Sequence, residues 1–208
     1  MTYQKRYAMK KLIYPINLQA IFLTIFLITS STLIAQDWKY YDSLRVESQN
    51  KKDLDSAILY SEKALQSVKE QIGESDSLYA FMLSMAWKAQ FAKSNYLNAI
   101  ELAEIEKVSR ANILGKSHPT YAELLNNLAI LYYYNGNYPM AEKYYTEAKD
   151  IRKEFLGEKH PDYASVLNNL AIIKKNTDKY AEAEQLYLEA LEIRKDFYGE
   201  LIFFIPKL

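Results

Sequence analysis

Apolar residues recur every three or four positions through most of the chain, a spacing that predicts amphipathic helices. One stripe within residues 119–134 consists of Ala122, Leu125, Leu128, Ala129 and Tyr132. A second stripe within residues 138–155 consists of Ala141, Tyr145, Ala148 and Ile151. The polar sequence Asn-Gly-Asn at 135–137 separates the two stripes. We therefore expect two helices that are joined by a tight turn and pack against each other.

Residues typical of helix ends support these boundaries. Pro139 falls in the first turn of the second helix, where a missing N–H costs no hydrogen bond. Gly157 is placed to end that helix, because glycine is favoured just after a helix C-terminus. His160 and Pro161 then open the next helix.

The helix pair is repeated along the chain at a constant offset. Residues 114–155 begin with LGKSHPTYAELLNNLAI, and residues 156–197 begin with LGEKHPDYASVLNNLAI. More than half of the aligned positions are identical. A sparser copy occupies residues 72–113, and a degenerate first copy is predicted in residues 36–71. A fixed period of this length indicates an array in which each unit buries its apolar face against its neighbours.

Three parts of the repeat resemble the tetratricopeptide repeat (TPR) of the kinesin-light-chain type: the linker LGxxHPxxA, the box LNNLA and the tail EAxxxYxxAxxIRxxxLG. The resemblance runs from about Leu54 to Glu200 and is weaker in residues 72–113, where Met85-Ala86-Trp87 replaces Asn-Leu-Ala. It implies an all-α fold, a right-handed superhelical solenoid of antiparallel helix pairs. It also implies that the first helix of each pair lines a concave groove for a peptide or a partner segment.

The repeated asparagines are the main candidates for ligand contact. Because Leu125 and Leu128 belong to the apolar stripe, the asparagines beside them turn toward the groove, and an amide can both donate to and accept from a peptide backbone. Carried over from the family, the groove residues are Asn126, Asn127, Ile130, Tyr133, Tyr134, Asn168, Asn169, Ile172 and Lys175. The alternative is that one asparagine per unit bonds to the adjacent helix and only fixes the repeat geometry.

The two histidines invite a metal site, but their positions argue against one. His118 and His160 each precede a proline in a turn between helices, and they are one repeat apart. That separation is about 20 Å at ordinary helix-packing distances, too far to share one metal ion. We expect both to cap helices, and we expect no metal and no cofactor.

Charge and composition narrow the function further. The chain has 26 basic residues, 26 acidic residues and no cysteine. Balanced charge argues against a nucleic-acid partner, and the lack of cysteine excludes disulfides and thiolate chemistry. The sequence shows no convergent set of catalytic groups. We therefore expect a non-enzymatic scaffold for protein–protein interaction. The alternative is the sensor or adaptor part of a membrane-anchored or longer multidomain protein with a further C-terminal effector, such as a caspase-like peptidase.

Residues 1–35 have the order of a secretory signal peptide. Basic residues come first, an apolar stretch follows from Ala20 to Ile28, and Ala35 offers a small residue for cleavage. The alternative is an uncleaved anchor over residues 16–35, in which case the chain would contact a membrane. Either interpretation predicts an exported protein, periplasmic or extracellular in a bacterium.

The last residues, 198–208, depart from the repeat. LIFFIPKL stands where a charged linker with His-Pro is expected. Either this segment folds back over the open end of the array, or the chain is cut short from a longer protein. An uncovered apolar end also predicts self-association.

Overall fold

The computed structural model of the chain describes residues 37–199, and these residues form eight α-helices without a strand among them. The helices are α1 (Asp37–Asn50), α2 (Leu54–Gln71), α3 (Ser77–Ala92), α4 (Tyr96–Leu114), α5 (Pro119–Tyr134), α6 (Tyr138–Leu156), α7 (Pro161–Asn176) and α8 (Tyr180–Tyr198). The predicted all-α fold is confirmed.

Two predicted features lie outside the described residues: the signal peptide or anchor in residues 1–35, and the apolar segment in residues 201–208. Among the helices between residues 37 and 199, none combines the length and the apolar character that crossing a bilayer requires.

Helices of the same kind begin at the same position of each successive repeat. The second helices of the pairs start at Leu54, Tyr96, Tyr138 and Tyr180, and three of the first helices start at Ser77, Pro119 and Pro161. Each helix packs against the helix before it and the helix after it in the sequence. The result is a solenoid in which successive helix pairs stack on one another.

Alanines allow the closest contacts inside the last two pairs. Ala129 of α5 and Ala148 of α6 are fully buried, and their counterparts Ala171 and Ala190 are buried in the next pair. The main apolar cluster runs without interruption from Trp87 in α3 to Ile173 in α7. The middle repeats therefore share one core, and two smaller clusters lie beside it, one around Leu83 and one around Leu167.

The turn inside each pair uses the same backbone conformation four times. Lys52, Ser94, Gly136 and Asp178 occupy equivalent positions in successive repeats, and their φ angles are 59°, 64°, 78° and 60°. This left-handed region favours glycine, but only Gly136 is a glycine here. The geometry of the stacked pairs therefore fixes the turn even where the residue does not favour it.

The predicted capping role of the histidines is confirmed. The Nδ1 atom of His118 accepts a hydrogen bond from the backbone N–H of Thr120 at 3.2 Å. The Nδ1 atom of His160 accepts one from Asp162 at 3.1 Å. Each histidine is the N-cap of a helix that begins with proline.

We predict that His160→Ala lowers the free energy of unfolding by about 1 kcal/mol, because the N-cap acceptor of α7 is lost. His160→Asn should retain most of the stability, since asparagine is a favoured N-cap residue. Urea denaturation of both variants measures the difference. Equal losses in the two variants would show that the ring's packing, and not its capping bond, matters at this position.

Candidate functional site

Side chains of α5 and α7 bond directly across the boundary between successive helix pairs. Asn169 Nδ2 donates a hydrogen bond to Asn126 Oδ1 at 3.0 Å. Near the C-terminal ends of the same helices, Asn176 Nδ2 donates to the hydroxyl of Tyr133 at 3.0 Å. The first helices of the two pairs therefore lie side by side and present one continuous surface.

A cleft of about 200 Å³ opens on this surface between the two helices. Its lining residues are Ile130, Tyr133 and Tyr134 from α5, Asn169, Ile172 and Ile173 from α7, and Tyr145 from α6. Five of the nine candidate groove residues come together here. Tyr145 and Ile173 complete the floor of the cleft as members of the buried core.

Aromatic side chains of the preceding pair support the outer wall of the cleft. The Tyr134 ring is 53% exposed, stacks on Tyr96 with 5.7 Å between centroids, and meets Phe91 edge-on at 5.4 Å. Tyr133 meets Tyr134 edge-on and also contacts Tyr138. We call these five rings the aromatic ledge. Sequence reasoning missed Phe91, although it stands one repeat before Tyr133 and the repeat offset could have revealed it.

Asn127 faces the other way, toward the preceding helix pair. It lines a small polar notch of about 40 Å³ together with Trp87 and Glu106. The Trp87 indole N–H donates to the Glu106 carboxylate at 2.5 Å, and Arg110 pairs with the same carboxylate. Trp87 and Glu106 hold the positions that alanines hold in the next two pairs. A hydrogen-bonded pair therefore replaces an alanine contact in residues 72–113.

Burial raises the pKa of the Glu106 carboxyl, although the nearby Arg110 guanidinium favours its ionised form. Only 1% of the residue is exposed to solvent. Ionised Glu106 thus depends on the protein groups around it, because water does not reach it.

The remaining candidates, Asn168 and Lys175, lie on the last helix pair. Asn168 is half-buried and corresponds to Asn126, which bonds to the following pair. Its own amide makes no side-chain hydrogen bond among residues 37–199. Lys175 is exposed near the C-terminus of α7, at the position that Tyr133 has in α5.

Comparison with known protein families decides the class of the chain. The tetratricopeptide repeat model matches residues 82–154 and, overlapping them, residues 120–196. Together the two matches span more than half of the 208 residues. The chain belongs to the tetratricopeptide repeat family.

Solved structures show the same TPR fold. BtubC (BKLC) from P. vanneervenii is 21% identical with a TM-score of 0.70, and the alignment covers 78% of this chain and 65% of that one. A putative kinesin light chain with nearly identical TPR-like repeats from Podosopora anserina is 18% identical with a TM-score of 0.71, covering 78% and 77%. The chain thus spans just under two thirds of the length of BtubC. Comparison with curated protein sequences gives no match.

The TPR surface holds groups for recognition: amides, phenols and an apolar cleft. In the part of the chain that the structure describes, no three His, Cys, Asp or Glu side chains are grouped so that they could hold a metal ion. Chemically, the cleft is suited to take up an apolar side chain while the amides around it exchange hydrogen bonds.

We predict that the stability difference between the native TPR array and Glu106→Gln depends on pH. The carboxyl's pKa is higher in the folded state than its ordinary value of 4.5. Its stabilising contribution is therefore full below that value and declines as the pH rises through the folded-state pKa. Glutamine keeps an acceptor for Trp87 but cannot ionise, so the native array should lose stability relative to the variant as pH increases.

Denaturant unfolding of both proteins at a series of pH values measures this difference. The contributions of all other titrating groups are shared by the two proteins, so they cancel when the two free energies of unfolding are subtracted. A native array that gains stability relative to the variant as the pH increases would mean that the Arg110 pairing outweighs burial, which would contradict the prediction.

Proposed function

We propose that this TPR array is a non-enzymatic scaffold that binds an extended peptide or protein segment along the surface of its first helices. TPR arrays in general serve as scaffolds for protein partners. The observation that carries the proposal is the cleft between α5 and α7, which is apolar inside and has amides at its edge. No reaction is assigned to this surface.

The amides at the edge of the cleft keep capacity for a ligand. The bond between Asn169 and Asn126 uses one N–H of Asn169 and one lone pair of Asn126. Each side chain therefore retains a donor, and each retains an acceptor. A peptide backbone in extended form presents one donor and one acceptor at every residue, which these amides can satisfy without reading the peptide's side chains.

The cleft itself would select one apolar side chain of the ligand. Alternate side chains of an extended peptide point to the same face. One of them can enter the cleft between Ile130 and Ile172, while the next on that face lies against the aromatic ledge. Lys175 replaces tyrosine at the far end, so a different side chain is favoured there.

A peptide selected by display on residues 36–208 should bind the native array and lose affinity about tenfold or more with Ile172→Lys, because the lysine fills the cleft and adds charge. Leu97→Lys is the matched control, since Leu97 is 69% exposed on α4 and does not line the cleft. Isothermal titration measures both, with circular dichroism to confirm folding. Peptides that bind the Ile172→Lys variant as tightly as the native array would refute the assignment.

We also propose that the array acts outside the cytoplasm, on the basis of the signal-like order of residues 1–35. Expressed in a Gram-negative host, the protein should be recovered from the periplasm with Gln36 as its first residue. N-terminal sequencing tests this directly. A full-length protein in the membrane fraction would make the array the exported part of an anchored sensor or adaptor. Recovery from the cytoplasm would contradict export.

A further inference from the structure

Two large apolar side chains on the last helix are exposed to solvent. Leu188 and Leu191 of α8 are 58% and 54% exposed. Their counterparts one and two repeats earlier are polar: Thr146 and Lys149 in α6, and Glu104 and Lys107 in α4. No helix pair in the described part of the chain covers this face of α8.

The earlier repeats show what this face does. Glu104 accepts a hydrogen bond from Tyr144 of the next pair, and Lys107 donates to the same hydroxyl at 2.8 Å. Glu142, the counterpart of Glu184, pairs with Lys174 of the next pair at 2.9 Å. Glu104, Lys107 and Glu142 therefore contact the next unit in the stack, whereas Thr146 stays exposed. On α8 the stacking face is formed by Glu184, Leu188, Leu191 and Lys195.

The α8 stacking face is complementary to itself. Its four residues are spaced by four, three and four positions, which places them along one seam of the helix. When a second α8 is laid antiparallel across it, Leu188 of each helix meets Leu191 of the other. Glu184 then lies opposite Lys195 at both ends of the contact. This reciprocal pairing is the property that a two-fold symmetric interface requires.

We propose that a second copy of this chain packs on the α8 stacking face, with the two α8 helices antiparallel, so that the array forms a symmetric dimer. The leucines supply the apolar contact. The charges at the two ends determine the orientation, because a parallel arrangement would bring like charges together. Lys195 also has contacts within its own chain, so the leucine pairs contribute most of the affinity. The dimer would double the number of peptide grooves in one particle.

Sedimentation velocity over a wide concentration range tests the proposal, with residues 36–208, which include all eight helices. The native protein should show a monomer–dimer equilibrium. Leu188→Glu should raise the dimer dissociation constant by at least about tenfold, since it buries an acid against leucine in both halves of the contact. Leu97→Glu is the matched control, because Leu97 is more exposed than Leu188 but belongs to α4 and not to α8. It should leave the equilibrium unchanged.

The same measurement on residues 36–200 shows whether residues 201–208 cover the α8 stacking face or are needed for the dimer. A dimer in both forms supports the α8 contact. If only the shorter form dimerises, residues 201–208 cover the face, and the proposal is overturned. A dimer that requires residues 201–208, one that tolerates Leu188→Glu, or a monomer at all concentrations overturns it as well.

Disulfide cross-linking tests how the two α8 helices are aligned with each other. The chain has no cysteine of its own, so only the introduced cysteines can react. A mixture of Glu184→Cys and Lys195→Cys chains should cross-link to each other on oxidation. Either variant alone should cross-link much less. Efficient cross-linking of Glu184→Cys with itself would contradict the antiparallel arrangement.

Discussion

Each helix pair in the middle of this array has a face that the next pair covers, and the rest of the structure depends on that contact. Ala129 and Ala148 let α5 and α6 approach closely, and both are fully buried. Close packing within each pair brings the first helices of successive pairs side by side, near enough for Asn169 to reach Asn126. The cleft exists because α5 and α7 stand at this separation, so the candidate binding site is a product of stacking.

Polar contacts make each boundary between pairs different. At one boundary, hydrogen bonds from Lys107 and Tyr144 outweigh the effect of burial and lower the pKa of Glu104. Burial and the nearby carboxylate raise the pKa of Tyr132 to about 12, which keeps its hydroxyl a donor. At the other boundary, Lys174 joins Glu142 and Glu182 at 2.9 and 2.6 Å. Units with unlike contacts are not interchangeable, and this favours one order of stacking.

Most of the fold could be predicted from sequence, because the constant repeat period, the helix ends and the histidine caps are all local signals. The different directions of the two neighbouring asparagines could not be predicted from the sequence. Asn126 faces the following pair and Asn127 the preceding one, which depends on contacts between residues far apart in the chain. A repeat pattern also does not predict that Trp87 and Glu106 bond to each other where the next two repeats have alanines, since this pair of residues occurs in one repeat and not in those two.

Hydrogen exchange of backbone amides in native conditions, followed by mass spectrometry on the dilute protein, tests the dependence on stacking most directly. One apolar cluster joins α3 to α7, so we expect amides in the middle of these helices to open together with a single free energy. Helix α8, which has only one neighbouring helix within the described residues, should open more easily. Separate opening of each helix pair, with its own free energy, would contradict the claim that stacking holds the groove together.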